Sequence, residues 1–405
     1  MENTTVIKVI AAAMVLIGLS TYLIFTFNTV SGSPLLWEVS AEEPVLQFYP
    51  VAGGAYLVGE ENVSLVNSSG QSIWSIRLFA PLYSALGNDS PLYVYSSNHS
   101  LWSISPEGVA ESLGTYDIDR PPVPGNNGAV YLCSGTKLTA VGPRGLTEWD
   151  DTNVISDPVV DGAGNVYYLV HSRTRPSEVY LQSRSSNGSL QWSNLLDNYD
   201  DSTTLLPHGS GVFVSRSGAG ELFRVLENGT ILWKYYKPYL GHYLLSADPA
   251  GQLYLIYDQG TVHVLNDQGD LISKFSAGST DVSSVDGAAP GGGLLYTAVR
   301  DDTPASVTIT ATDLNGTRQW TVAVNSTGSI ILTATGSGVC AATELSRSGK
   351  SIPVLSLLDA RGHVQYNYYG ADQGRWDQVC AAHGVLYART GDGRLYALKL
   401  PGGSS

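Results

Sequence analysis

The side chains able to do chemistry are scattered rather than clustered. The histidines His99, His171, His208, His242, His263, His363 and His383 fall far apart in the chain. None forms a spaced pair such as His-x-x-x-His, the pattern that sets two imidazoles on one metal. The acidic run Asp197, Asp200, Asp201 in LLDNYDDST could offer oxygen ligands to calcium. It lacks the glycine and the evenly spaced carboxylates of a dedicated loop, so a solvated loop is the expectation. Asp150–Asp151 reads the same way. Serines are abundant, but no Gly-x-Ser-x-Gly elbow presents one as a nucleophile. No catalytic residue, metal ligand or cofactor is expected, and the chain reads as a protein that is not an enzyme.

Three cysteines, Cys133, Cys340 and Cys380, cannot make a full disulfide framework. Cys340 and Cys380 each sit in a Val-Cys-Ala-Ala tetrapeptide about one repeat apart. A bridge between them is the one disulfide the spacing offers, and buried free thiols are the alternative. The most frequent short motif is Asn-x-Ser/Thr. It is headed by Asn62, Asn67, Asn88, Asn98, Asn187, Asn228, Asn315 and Asn325, and by Asn3 near the start. These are glycosylation candidates. Three of them, Asn187-Gly188, Asn228-Gly229 and Asn315-Gly316, are also the dipeptides that type I′ hairpin turns prefer.

Composition sets the frame for these residues. The chain has 405 residues, 14% of them charged, with 44 Gly, 24 Tyr, 8 Trp and only 2 Met. Many Gly and Tyr with little charge is the profile of short strands and tight turns. The net charge is −14 and no Lys/Arg stripe is present. Phosphate binding needs clustered cations, so nucleic acid is excluded as a partner, and the acidity reads as solubility.

Residues 1–5 form a short polar start, followed by the apolar run VIKVIAAAMVLIGLSTYLIFTF over 6–27, whose only charge is Lys8. At about 1.5 Å per residue a helix of that length crosses a hydrocarbon core of about 30 Å. It exceeds the usual apolar stretch of a cleaved signal, so a retained signal anchor is expected. Lys8 flanks its N-terminal side and no Lys or Arg follows until Arg77. The positive-inside rule then puts the N-terminus in the cytoplasm and the rest on the extracytoplasmic side of a cell membrane. Residues 28–34 are a polar tether.

From 35 to 400 a turn glycine recurs, at Gly70, Gly108, Gly145, Gly188, Gly229, Gly269, Gly316 and Gly362, spaced 37 to 47 residues apart. Four residues later stand Trp74, Trp149, Trp192, Trp233, Trp320 and Tyr366, while the Gly108 and Gly269 copies lack the aromatic. Upstream of each glycine lie an apolar stretch, a tyrosine strand such as NVYYLV, and an alternating strand such as ELFRVLE. Four strands per roughly forty residues is the blade of an all-β propeller. The last copy, ending RLYALKL, lacks its tryptophan strand, and LLWEVS around Trp37 is a tryptophan strand with nothing before it. Pairing the two closes the ring. Eight four-stranded blades are expected. Nine is the alternative, with the close spacing between Leu78 and Trp149 as the uncertain stretch. Residues 401–405 are a tail.

LENGTILWKYY, TDLNGTRQWTV and DGRLYALKL resemble the PQQ-like propeller repeat. The resemblance covers nearly all of 35–400. It implies that Trp37, Trp74, Trp149, Trp192, Trp233, Trp320 and Tyr366 dock between neighbouring blades. The quinone-dependent dehydrogenases of that family need a vicinal Cys-Cys pair, calcium ligands and a catalytic Asp. The chain has no Cys-Cys and none of their inserted segments. It is more similar to the family's non-catalytic, outer-membrane-assembly-scaffold members, although it carries an apolar helix where they carry a lipid attachment. A non-enzymatic binding scaffold for unidentified envelope proteins is the resulting expectation, and an envelope enzyme or sensor holding a sugar or quinone in the funnel is the alternative. Tyr116, Tyr199, Tyr236, Tyr239 and Trp376 are the loop aromatics that could meet a partner, with packing the expectation for Tyr236.

Overall fold

The computed structural model describes residues 34–40, 44–87, 91–196, 202–237, 243–248, 251–257, 260–277, 285–300, 306–347, 349–371 and 374–401. The expected anchor and all of the tether except Pro34 lie outside the described residues, as do Asn3, Asn88, Asp197, Asp200, Asp201, Tyr199, Tyr239 and His242. Among the described residues no helix is long and apolar enough to cross a membrane.

The strands assemble into nine four-stranded antiparallel sheets, so the protein is a nine-bladed propeller. Eight of the sheets are built from four consecutive strands, and they span 45–77, 81–115, 123–152, 159–196, 203–236, 243–276, 287–325 and 331–369. The ninth joins Trp376–Ala382, Val385–Thr390 and Leu395–Lys399 to the N-terminal strand Leu35–Val39. Leu35 pairs with Leu398 and Val39 with Leu395. Ring closure by the two chain ends is therefore as expected, but the count of eight is corrected to nine. The doubtful stretch between Leu78 and Trp149 holds two complete blades. The third blade is compressed because its innermost strand is only Val123–Pro124, in a proline-rich segment that cannot donate a full ladder.

In blades one, three, four, five and seven an aromatic of the second strand is buried on the face that carries the tryptophan of the outermost strand. The ring centroids lie 5.8 Å apart for Tyr56–Trp74, 5.7 Å for Tyr131–Trp149, 5.8 Å for Tyr167–Trp192, 5.7 Å for Phe213–Trp233 and 5.8 Å for Tyr296–Trp320. The tryptophan then reaches across to the next blade. Its Nε1 donates to the carbonyl two residues before that blade's turn glycine, from Trp74 to Pro106 at 2.9 Å, Trp149 to Ser186 at 3.0 Å, Trp192 to Glu227 at 2.6 Å, Trp233 to Asp267 at 2.8 Å and Trp320 to Ala360 at 2.8 Å. A Cβ on Gly188 would stand 2.4 Å from the Trp149 ring. Glycine is thus required twice, for its φ of 85° and for the indole pressed against it.

These turns are not type I′. That turn needs φ > 0 at both central residues, and here the glycines are left-handed while Asn187, Asn228 and Asn315 are not. Gly188 N donates to Ser185 O, Ser185 N to Ser189 O, and the pairing slips by one residue beside the turn. This is a type I turn followed by a glycine bulge.

Two blade junctions lacking the aromatic recruit another one. Ser112 occupies the tryptophan position, and the Tyr116 hydroxyl lies 2.8 Å from Gly145 O and 3.1 Å from Leu113 O. At the next vacancy Phe275 takes the place against Gly316, two residues after Ser273. At the last junction Tyr366 donates to Lys399 O at 3.2 Å. Trp37 presses on Gly70 from the ring-closing strand, with its Nε1 unpartnered.

Candidate binding surface

Antiparallel blades of this kind have two different faces. Turns between first and second strands, and between third and outermost strands, lie on one face. Loops between second and third strands, and between successive blades, lie on the other. The turn face is tight and glycine-pinned. Lys399 N bonds Pro34 O at 2.8 Å, so the chain enters the propeller on this turn face, at the outer edge of the ninth blade.

The loop face carries the irregular geometry. Blades nine, one and two each have a one-residue bulge near the start of the innermost strand, between Trp376 and Gln378, Val45 and Gln47, and Pro81 and Tyr83. The extra residues, Asp377, Leu46 and Leu82, are exposed. Arg389 ties two of these bulges together. It holds Asp377 through two bonds of 3.1 and 2.8 Å and donates to the carbonyls of Val45, at 3.1 Å, and Leu46. Between blades one and two, Phe79 is 65% exposed. Ala80, its neighbour, has φ 36°, and its carbonyl accepts a bond from Ser97 N at 3.0 Å. A cleft of about 450 Å³ runs beside Phe79, walled by Glu61, Arg77, Leu78 and Ala80.

Ionic groups elsewhere tie blades and strands together. Asp151 is buried, and its carboxylate accepts from Thr152 N, Tyr168 and Arg184 at 2.8 Å each. Burial alone would raise its pKa, but these donors hold it below the usual carboxylate value. Arg184 also lies 5.6 Å from the Trp149 ring centre. In blade five, Arg216 and Lys234 both pair with buried Glu221. His263 is buried, with Nδ1 at 2.7 Å from the Tyr235 hydroxyl and Nε2 unpartnered, and burial first, then Lys274 and Lys237, push its pKa down to about 4.

The structure separates most of the residues singled out in the sequence. Asp150 and Asp151 are successive strand residues, so they point to opposite sides, Asp150 to Lys137 at 3.0 Å and Asp151 inward. His208 meets Asp267 at 3.0 Å and His363 meets Asp359 at 3.3 Å. Among the described residues no group of three or more His, Cys, Asp or Glu could hold a metal. The Cys340–Cys380 bridge is not formed, and all three cysteines are free. Cys340 packs in the core between blades eight and nine, whereas Cys380 faces the core between blades nine and one, across the sheet. Burial raises their thiols, to about 12 for Cys340 and about 11 for Cys133 and Cys380, so none is a thiolate at neutral pH. Cys340 stands in register where other blades have their tyrosine, which is why that strand escaped the repeat pattern.

The sequons divide between the faces. Asn67, Asn187, Asn228 and Asn315 lie at turn-face hairpins, and Asn62, Asn98 and Asn325 lie at the loop-face ends of strands. Asn98, Asn187 and Asn228 accept from the backbone N–H two residues on, at 3.2, 3.1 and 3.0 Å. Of the loop aromatics, Trp376 is buried and Tyr116 is the substitute lock. The expectation of packing for Tyr236 is corrected. It is 57% exposed, and its neighbour Tyr235 is the buried one. Alternation along the strand sets the two on opposite sides, with Tyr235 in the core shared with blade six.

A family model described as outer membrane protein assembly factor BamB matches residues 27–235, just over half of the chain. The chain belongs to this PQQ-like repeat family. The matched stretch runs through the ring-closing strand and blades one to five. No curated protein matches the chain. Among solved structures, the crystal structure of a eukaryotic initiation factor covers 84% of this chain and 91% of its own at 9% identity and a TM-score of 0.62. BamB from Moraxella catarrhalis covers 90% and 99% at 11% identity and 0.48. A catalytically inactive virginiamycin B lyase from Staphylococcus aureus covers 79% and 94% at 11% identity and 0.44. Identities this low show likeness of fold alone. What the PQQ-like repeat contributes to the surface is a ring in which an aromatic side chain meets the next blade at every boundary.

Proposed function

We propose that this protein is a membrane-anchored, extracytoplasmic binding scaffold that performs no chemistry of its own. The observation that carries this reading is the place where the chain enters the ring. The closing strand Leu35–Val39 begins on the turn face, immediately after the tether and the apolar run over 6–27. Seven extended residues reach no more than roughly 25 Å, so an anchor in that run holds the propeller close to the bilayer and leaves the loop face free. Membership of a family whose model is described as an outer-membrane assembly factor supports a scaffold or binding role.

Alkaline carbonate extraction of membranes, followed by protease treatment of intact cells, tests this reading. A chain that stays in the membrane pellet, with a C-terminal epitope cleaved from outside, is the expected result. Release into the supernatant, or an epitope protected until the cells are broken, would refute it.

A further inference from the structure

We propose that the loop face of blades nine, one and two is a docking site for a cationic polypeptide segment carrying apolar anchors. Three apolar side chains are exposed on it: Phe79, Leu82, which is 54% exposed, and Leu46. Two of these are bulge residues and the third adjoins a left-handed alanine, so local backbone irregularity turns all three outward. An aromatic beside a cleft of about 450 Å³ is the usual form of an interface anchor.

The charges around the patch decide the occupant. Glu38, Glu60, Glu61, Asp117 and Asp119 are exposed on the same face. Most cations there face carboxylates: Arg77 meets Glu61 at 2.6 Å, Arg120 meets Asp157 at 3.2 Å, Arg389 meets Asp377 at 2.8 Å and Arg394 meets Asp392 at 3.1 Å, while Arg375 is exposed on blade nine. The surplus is negative, in keeping with the net charge of −14. Lys or Arg residues flanking apolar side chains complement it, and an acidic segment is repelled. A lipid surface is disfavoured as occupant because the chain enters from the turn face, opposite this one. That last step rests on the anchored-scaffold reading; the rest does not.

The test uses the full-length chain in detergent micelles, made in a host that adds no glycans. The probe is a fluorescein-labelled synthetic peptide with two leucines set among lysines, and its counterpart has glutamates for lysines. The lysine peptide binds saturably, and the glutamate peptide binds at least about tenfold more weakly. Phe79→Ser/Leu82→Ser weakens the lysine peptide by about tenfold, while Leu195→Ser, exposed at the loop-face end of blade four, leaves it unchanged. Glu60→Lys/Glu61→Lys lowers the preference for lysine over glutamate. Absence of saturable binding, equal binding of the two peptides, or insensitivity to the Phe79/Leu82 change overturns the proposal. A native glycan on Asn62 or Asn98 overturns it too, because either would lie over the patch. Carbonate extraction reports on the anchor alone, so the two proposals fail separately.

Discussion

Trp192 and Glu227 meet across a blade boundary, the indole Nε1 donating to the backbone carbonyl at 2.6 Å while the ring lies against Gly229. The same contact recurs in four other junctions and makes each blade's outermost strand part of the next blade's turn. Trp192→Phe keeps the ring packing and loses the bond, and should cost about 1 kcal/mol. Trp192→Ala also opens a cavity and should cost about 3–5 kcal/mol. Urea unfolding of both variants checks the gap between them.

The Tyr116 hydroxyl does for blades two and three what an indole does elsewhere. Tyr116→Phe should therefore destabilise by about 1 kcal/mol. The same change at exposed Tyr369, whose hydroxyl holds no such position, should fall within about 0.5 kcal/mol of zero. Paired thermal melts decide whether Tyr116 is a lock or a surface residue.

Asp151 is the buried hub of the third blade boundary. Asp151→Asn leaves Arg184 facing a neutral amide and should cost about 3 kcal/mol. The folded carboxylate sits below its usual value of 3.8, so its contribution is present above that pH and is lost as pH falls through the folded value. The difference in melting temperature between wild type and Asp151→Asn should shrink in strong acid.

His263 behaves with the opposite charge and the same direction. Its folded pKa of about 4 lies under the ordinary 6.5, so the unfolded chain takes up the proton first as the pH falls. Stability should drop between pH 6.5 and about 4 and level off below. Melts of His263→Gln over the same range should show a shallower drop.

Much of this architecture was legible because the repeat is written in residues with one job each. A left-handed turn position admits glycine, and the indole that covers it announces the next blade. The tyrosine row and the complementary chain ends followed from the same pattern. What could not be read were the substitutions. Tyr116 and Phe275 sit four and two residues beyond the expected position, and only strand geometry brings them back to the vacant site. Cys340 occupies a tyrosine slot, and the short innermost strand Val123–Pro124 draws the blades between Leu78 and Trp149 so close together that nine read as eight. Adjacent Val-Cys-Ala-Ala segments suggested a disulfide, yet they lie on strands whose cysteines face different inter-blade cores. The loop-face patch was invisible as well, because a bulge that turns Leu46 or Leu82 outward leaves no mark in hydrophobic periodicity.

Hydrogen–deuterium exchange of the strand Leu35–Val39 in the full-length protein tests the central claim most directly, that the segment leaving the apolar run is itself the ninth blade's outermost strand. Pairing with Leu395–Lys399 predicts amide protection there comparable to the outermost strands of the other blades, and its weakening when Lys399→Pro removes the amide that donates to Pro34 O. Exchange of Leu35–Val39 at the rate of free chain in the native protein would contradict both the ring closure and the orientation drawn from it.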